Sequence, residues 1–112
     1  MSGKLRVLIG CERFGRVRDA FLALGHDAYS CDLLPTAVPG PHIQDDVLYV
    51  MRLGWDLGIF FPDCTHLAVS GALRFASKRE LQKDAVMFFM QIAQAPIEKI
   101  AIENPVGIIS TV

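Results

Sequence analysis

Segments with strand character and segments with helix character alternate along this chain of 112 residues, and that order constrains its fold most. The predicted strands are short, largely apolar runs: Leu5–Ile9, Asp27–Cys31, Trp55–Phe61 and Lys99–Ile102. Helical intervals between strands imply parallel pairing with right-handed crossovers. We therefore predict an α/β protein, with one Rossmann-like three-layer domain over residues 1–112 and a mostly parallel sheet.

The first predicted helix has one apolar face and one polar face. Its apolar residues, at helical spacing, are Val17, Ala20, Phe21 and Leu24. Its opposite face carries Arg16, Arg18 and Asp19. Gly25 follows where a left-handed residue often ends a helix. After the second predicted strand, Leu33–Pro41 contains three prolines and is predicted to be a loop.

Two further helices are predicted later in the chain. The second is short, is capped by Asp45 or Asp46, and runs through Met51. The third begins at Ser77, which forms a capping box with Glu80, and ends before Pro96. The apolar stripe of this third helix consists of Leu81, Ala85, Phe88, Phe89 and Ile92.

Composition narrows the class of protein. Hydrophobic residues make up 52% of the chain and charged residues 21%, which excludes a disordered chain. The formal net charge of −1 argues against a chain that binds nucleic acid by itself, because phosphate contacts require an excess of basic residues.

The three cysteines are far apart and the histidines are not spaced as a ligand set, so we expect no metal site. No segment is suited to span a bilayer and no cleavable signal pattern opens the chain, so we expect a cytosolic protein.

Polar and reactive residues cluster where the predicted strands end, which is where ligands bind to parallel sheets. These positions are Cys11 to Gly15, Asp32, Asp45 or Asp46, Pro62 to Thr65, and Glu103 to Pro105. The first of them is flanked by Gly10 and ends at Gly15, and glycine lets backbone approach a ligand ahead of a helix N-terminus with free N–H groups. It matches neither the dinucleotide fingerprint nor the phosphate-binding loop.

Three side chains at these positions are suited to chemistry. Asp32 can accept hydrogen bonds from ribose hydroxyls, or it is a turn or cap acid. Cys64 can act as a nucleophile, or it is a small buried hydrophobe, and Asp63 beside it disfavours the thiolate. Glu103 can hydrogen-bond or protonate a substrate ring, or it belongs to the turn that Asn104 and Pro105 indicate.

Three stretches of the chain, taken in order, carry a family resemblance. The first runs from Cys11 to Phe21 and continues through Gly25–Ala28 and Cys31–Pro35. The second runs from Trp55 to Thr65, and the third is Ile102–Pro105. Together they resemble the N-terminal half of cytosine-5 DNA methyltransferases, which use S-adenosylmethionine. The chain resembles more closely the short phage and prophage proteins of that kind.

The resemblance implies a role for each strand end. The loop with Cys11, Glu12, Phe14 and Gly15 would wrap the methionine part of S-adenosylmethionine. Asp32 would hold the ribose, Asp46 or its neighbour Asp45 would contact the adenine, and Leu33 and Pro62 would complete the cofactor contacts. Cys64 would attack carbon 6 of cytosine, making carbon 5 nucleophilic towards the methyl group, while Glu103 would bind the ring near N3. Such enzymes flip the target base out of the DNA duplex.

The chain departs from the family pattern in two respects. Asp63 separates Pro62 from Cys64, whereas the family has proline directly before the cysteine. The chain also stops just past the fourth predicted strand, before the later strands, the arginine-bearing motif and the target-recognition region. We therefore expect a truncated domain whose exposed apolar edge is covered by self-association, in a dimer that buries Ile108 and Ile109.

Three functions stay open on the sequence. The first is a methyltransferase-type enzyme acting on cytosine in DNA. The second is a non-catalytic cofactor- or nucleotide-binding or interaction module on the same scaffold, which the near-neutral charge, Asp63 and the missing second half favour. The third is a hydrolase or glycosyl-transfer enzyme that uses Asp63 and Glu103 as paired carboxylates.

Overall fold

The computed structural model describes residues 3–62 and 78–103, and in the last helix it describes side chains from Val86 onward. The strands in this part of the chain are β1 (Arg6–Gly10), β2 (Asp27–Asp32), β3 (His42–Gln44), β4 (Leu57–Phe60) and β5 (Lys99–Ile102). The helices are α1 (Arg16–Ala23), α2 (Val47–Val50) and α3 (Lys78–Ala93).

The five strands form one sheet in the order β3-β2-β1-β4-β5, and every neighbouring pair is parallel. Helix α1 packs on one face of the sheet, against the cluster of Val7, Ile9 and Ala28. Helices α2 and α3 pack on the other face, in the larger cluster that contains Leu8 and Phe60. The predicted α/β class and its parallel sheet are therefore confirmed for the described residues.

Strand β3 was not expected from the sequence, which predicts four strands. Its three residues, His42–Gln44, carry no apolar alternation, so local pattern gives no strand signal. The strand is held by its partner β2. Ser30 N–H donates to the Pro41 carbonyl at 3.1 Å, and Asp45 N–H donates to the Asp32 carbonyl at 3.1 Å. The loop predicted over Leu33–Pro41 is confirmed, and it joins these two strands.

The element boundaries differ from the predictions by small amounts. Strand β4 is shorter than predicted, because Trp55 lies before it and packs into the core, where its Nε1–H donates to the Val50 carbonyl at 2.7 Å. Strand β5 has the predicted limits, and α3 ends at Ala93, before Pro96 as predicted.

The predicted apolar stripe of α1 is confirmed only in part. Val17 and Phe21 are half-buried against the sheet, whereas Ala20 is exposed. Leu24 is 74% exposed, because the helix ends one residue before it.

The apolar stripe of α3 is confirmed where its side chains are described. Phe88 and Ile92 of α3 are buried as expected, whereas Ser77 and the side chains of Leu81 and Ala85 lie outside the described residues. The cap of α2 is Asp46, whose carboxylate accepts from Leu48 N–H at 2.9 Å.

The assignment of Arg18 to a polar face of α1 is wrong, because its side chain is completely buried. The helical period separates the two faces of α1 but cannot show that a later loop covers part of the polar one.

Two further expectations concern membrane spans and self-association. No helix in the described part of the chain has the length and apolar character needed to cross a membrane. Ile108 and Ile109 lie outside the described residues, so the dimer stays a prediction.

Candidate functional site

The carboxyl ends of all five strands lie along one edge of the sheet, because the strands are parallel. This edge brings together residues that are far apart in sequence: Cys11 after β1, Asp32 in β2, Asp45 after β3, Phe61 after β4 and Glu103 after β5. The strand order reverses between β1 and β4, the position where open α/β sheets bind ligands. We call these strand ends and the turns that follow them the carboxyl-edge site.

A tight turn follows β1 at the centre of this site. Cys11 has a φ of 63°, a left-handed conformation that is uncommon for a residue with a side chain. Two N–H groups, those of Cys11 and Glu12, donate to the carbonyl of Cys31 at 2.8 and 3.2 Å. The chain therefore bends over the end of β2 immediately after β1, which places Glu12 ahead of helix α1.

Glu12 provides a carboxylate at the N-terminus of α1. Gly15, the residue before that helix, has a φ of 74° and has no side chain to cap it. Glu12 Oε2 accepts from Val17 N–H at 3.5 Å. Oε1 is buried and has no hydrogen-bond partner within the described part of the chain. Burial, the largest effect, raises the pKa of Glu12, and the N–H groups of Val17 and Arg18 and the Arg18 charge act against it.

The raised pKa of Glu12 predicts how stability depends on pH. A carboxyl group that binds its proton more tightly in the folded state contributes most below its ordinary pKa. That contribution is lost as the pH rises through the raised value. We expect Glu12→Gln to raise the thermal midpoint at neutral pH by about 1–3 °C, a modest effect because the group stays partly solvated. Scanning calorimetry at pH values from acid to neutral should also show a flatter profile for the variant.

The matched control for this prediction is Glu98→Gln, since Glu98 is exposed. It should leave the midpoint unchanged. A lower midpoint in Glu12→Gln would contradict the prediction, because it would show that attraction between the carboxylate and the helix N-terminus outweighs the cost of burial.

Asp32 ends β2 at this edge and is 8% exposed. Its Oδ1 accepts from Leu34 N–H at 2.9 Å, which turns the chain away from the strand through the half-buried Leu33. Asp32 therefore acts as a turn residue, which is the alternative role that the sequence left open for it. A role in ligand binding stays a prediction.

Asp45 and Asp46 follow β3 and are both exposed. Asp46 N–H donates to Asp45 Oδ1 at 2.7 Å, while Oδ1 of Asp46 caps α2. Beneath them the Cys31 thiol donates to the Asp45 carbonyl at 3.4 Å, and burial raises the pKa of this thiol to about 12. Cys31 is therefore a protonated, structural cysteine at neutral pH.

The ends of β4 and β5 continue the same edge. Phe61 N–H donates to the Gly10 carbonyl at 3.0 Å, and Glu103 N–H donates to the Phe60 carbonyl at 2.9 Å. Pro62 is buried, and Glu103 is exposed beside the end of β4. Cys64 and Asp63 lie outside the described residues, so the pairing of Cys64 with Glu103 stays a prediction.

Comparison of the chain with protein-family models, curated proteins and solved structures finds no match. Within the described ranges, no group of three or more histidine, cysteine, aspartate or glutamate residues could hold a metal ion.

The outer rim of the site includes contacts that sequence reasoning missed. Phe14 is 59% exposed, and the Arg13 guanidinium lies over its ring, 5.4 Å from the centroid. Arg13 Nε donates to the Pro35 carbonyl at 3.2 Å, and Ala37 N–H donates to the Arg13 carbonyl at 2.7 Å. The turn after β1 and the loop after β2 therefore form one connected rim. Only the folded chain could show this, because the two segments are more than twenty residues apart.

Proposed function

We propose that this chain is a Rossmann-like, S-adenosylmethionine-dependent methyltransferase-like protein that acts on cytosine in DNA. The observation that carries the proposal is the set of carboxylates at adjacent strand ends, with Glu12 at the N-terminus of α1 and Asp32 at the end of β2. A nucleoside that carries positive charge complements such a set.

The position of Glu12 favours a cofactor without phosphates. In dinucleotide-binding sheets, the pyrophosphate binds to free N–H groups at the N-terminus of the first helix. Here the Glu12 carboxylate accepts from that helix terminus, and a phosphate would meet its negative charge. S-adenosylmethionine has a ribose and an adenine but carries no phosphate, and its sulfonium and amino groups are cationic.

The residues present fit this cofactor. The buried Oε1 of Glu12 lacks a partner among the described residues, which suits a donor or cation brought by a ligand. Asp32 is suited to the ribose hydroxyls, and Asp45 or Asp46, at the end of β3, to the adenine. When bound, the cofactor supplies an electrophilic methyl group.

The chain's own residues would prepare the base. The Cys64 thiolate would add to carbon 6 of cytosine, which moves electron density towards carbon 5. Glu103, as a carboxylic acid, would donate a hydrogen bond to N3 and so stabilise the negative charge that this addition creates. Once carbon 5 carries the methyl group, its proton would pass to a base such as water, and the Cys64 thiolate would leave carbon 6, which restores the double bond of the ring. Support for the second role is the position of Glu103, exposed at the end of β5 beside the end of β4.

A non-catalytic cofactor-binding module is the second candidate. Asp63 directly before Cys64 favours it, because a neighbouring negative charge raises a thiol pKa and lowers the thiolate fraction. This module would bind S-adenosylmethionine through the same strand ends and would transfer no methyl group to DNA.

Calorimetric titration with S-adenosylmethionine tests the part that both candidates share. We expect Asp32→Asn to weaken binding by about 10–100-fold, the effect of losing hydrogen bonds to a charged acceptor. Asp27→Asn is the matched control, because it changes the same residue type at the opposite end of the same strand. Binding of a dinucleotide in preference to S-adenosylmethionine, or equal weakening by the two variants, would contradict the proposal.

A further inference from the structure

Arg18 lies at the centre of a polar cluster that no proposed step uses. Its side chain is 0% exposed although it belongs to the first turn of α1. Nε donates to Asp19 Oδ1 at 2.9 Å, forming the ion pair that accompanies its burial. Its remaining partners all belong to β2 or to the loop that follows it, so the guanidinium is directed away from its own helix.

The guanidinium binds the middle and the C-terminal end of the loop Leu33–Pro41, together with Ser30 of β2. Nη2 donates to the Pro39 carbonyl at 3.2 Å. Nη1 has acceptors in Ser30 Oγ at 3.0 Å, Thr36 Oγ1 at 3.3 Å and the Pro41 carbonyl at 3.4 Å. A single planar group with donors in several directions therefore ties α1, β2 and the loop together.

Two glycines leave the space that this guanidinium occupies. A Cβ atom added at Gly15 or at Gly40 would lie 2.4 Å from Arg18 Nη2, closer than real contacts allow. Gly15 ends the turn after β1, and Gly40 is near the end of the loop after β2. The guanidinium is thus enclosed between the two segments that form the rim of the carboxyl-edge site.

The same loop is fixed from its other side by His42. The Leu34 carbonyl can only accept, so His42 Nε2 donates to it, at 3.0 Å. In the neutral ring Nδ1 then accepts from the Ser30 hydroxyl at 2.6 Å, and Ser30 Oγ in turn accepts from Arg18. A continuous chain of hydrogen bonds therefore connects Arg18 with Leu34, whose own N–H binds Asp32.

We propose that Arg18 is a positioning residue that fixes the turn Cys11–Gly15 and the loop Leu33–Pro41 relative to each other, and so presets the two sides of the cofactor site. This inference rests on the proposed function for the identity of the ligand. A site whose two sides are already held in place loses less conformational entropy when a ligand binds. Loss of the guanidinium should therefore weaken the complex even though Arg18 itself does not touch the ligand.

Two measurements on Arg18→Met test the inference. Without any cofactor, hydrogen exchange at the Leu34 and Ala37 N–H groups should become at least about tenfold faster, because these amides report the closed loop. With S-adenosylmethionine, the dissociation constant should rise by about 10–100-fold, measured well below the thermal midpoint of the variant. Arg16→Met, an exposed position on the same helix, should change neither quantity.

Variants with the same thermal midpoint as Arg18→Met distinguish a positioning role of Arg18 from a general effect on stability. Ile92→Val and Ile92→Ala, in the cluster on the other face of the sheet, provide graded losses of thermal midpoint. An Ile92 variant as unstable as Arg18→Met should keep the wild-type dissociation constant. If it binds as weakly as Arg18→Met, or if Arg18→Met binds like the wild type, the inference is overturned.

If Arg18→Met does not fold, Gly40→Ala replaces it, with Gly25→Ala as its control. Both glycines have a positive φ, but only the Cβ at position 40 would displace the guanidinium, since nothing lies within 4 Å of one at position 25. Faster exchange at Ala37 and weaker binding in Gly40→Ala alone support the inference, and equal behaviour of the two variants contradicts it. Failure of the wild type to bind S-adenosylmethionine would instead refute the proposed function, and the exchange measurement would still decide whether Arg18 holds the loop.

Discussion

Replacing Phe60 with alanine is expected to lower the free energy of unfolding by about 3–5 kcal/mol, the cost of removing a large aromatic side chain from a closed core. The ring is completely buried, at the carboxyl end of β4. A Cβ at Gly10 would lie 2.4 Å from it and one at Gly58 would lie 2.6 Å from it. The ring therefore covers two glycines of the sheet, and neither of them has a side chain that could fill the space left by its loss.

The unfolding experiment for Phe60→Ala has an internal reporter and a neighbouring control. Trp55, the single tryptophan, is buried in the same cluster, so its fluorescence and circular dichroism should report one transition in urea. Phe61→Ala should cost less, because Phe61 is only half-buried and packs on the opposite face of the sheet. A loss below about 1 kcal/mol in Phe60→Ala would show that the core can close around the gap.

The effect of Phe60 reaches the carboxyl-edge site through backbone contacts. Gly10, which lies opposite Phe60 in the register of β1 and β4, leads directly into the turn with Cys11 and Glu12. The Phe60 carbonyl accepts from Glu103 N–H. Packing of this one ring therefore influences how the ends of β1, β4 and β5 are positioned relative to one another. We expect variants at Phe60 to weaken S-adenosylmethionine binding as well as folding.

The features that sequence predicts well are those with a local physical cause. The strands at Asp27 and Lys99 begin where expected, because short apolar runs between turn residues have few alternatives. Asp46 caps α2 because an aspartate before a helix satisfies a free N–H within two residues. The common edge of the strand ends follows from parallel pairing, which the alternation of elements already implies.

The features that sequence missed depend on distant partners. Strand β3 forms because β2 provides its backbone hydrogen-bond partners, and the sequence of His42–Gln44 by itself carries no strand pattern. Arg18 is buried by the loop that ends at Pro41, so its helical position alone indicates an exposed side chain. The glycines at positions 15 and 40 leave room for the guanidinium, so they are a sequence signal of its burial that can be recognised once the fold is known. Each is also explained by an ordinary turn, so neither identifies the guanidinium that needs the space.

Cys64→Ser is expected to reduce methyl transfer to cytosine in DNA by at least about 10³-fold, because a serine hydroxyl without a general base is a far weaker nucleophile than a thiolate. Binding of S-adenosylmethionine should be unchanged, since the proposed cofactor contacts come from the other strand ends. The measurement is transfer of a labelled methyl group to duplex DNA, together with calorimetric titration of the cofactor.

The matched control for Cys64→Ser is Cys31→Ala. The Cys31 thiol is completely buried, and burial raises its pKa to about 12, so it cannot serve as the nucleophile at neutral pH. Methyl transfer that survives Cys64→Ser would rule out the nucleophile assignment. A wild-type chain that binds S-adenosylmethionine but transfers no methyl group would instead favour the non-catalytic module. In that case Asp63→Pro tests whether the neighbouring carboxylate is what makes Cys64 inactive. This variant places proline directly before the cysteine and removes the charge that disfavours the thiolate.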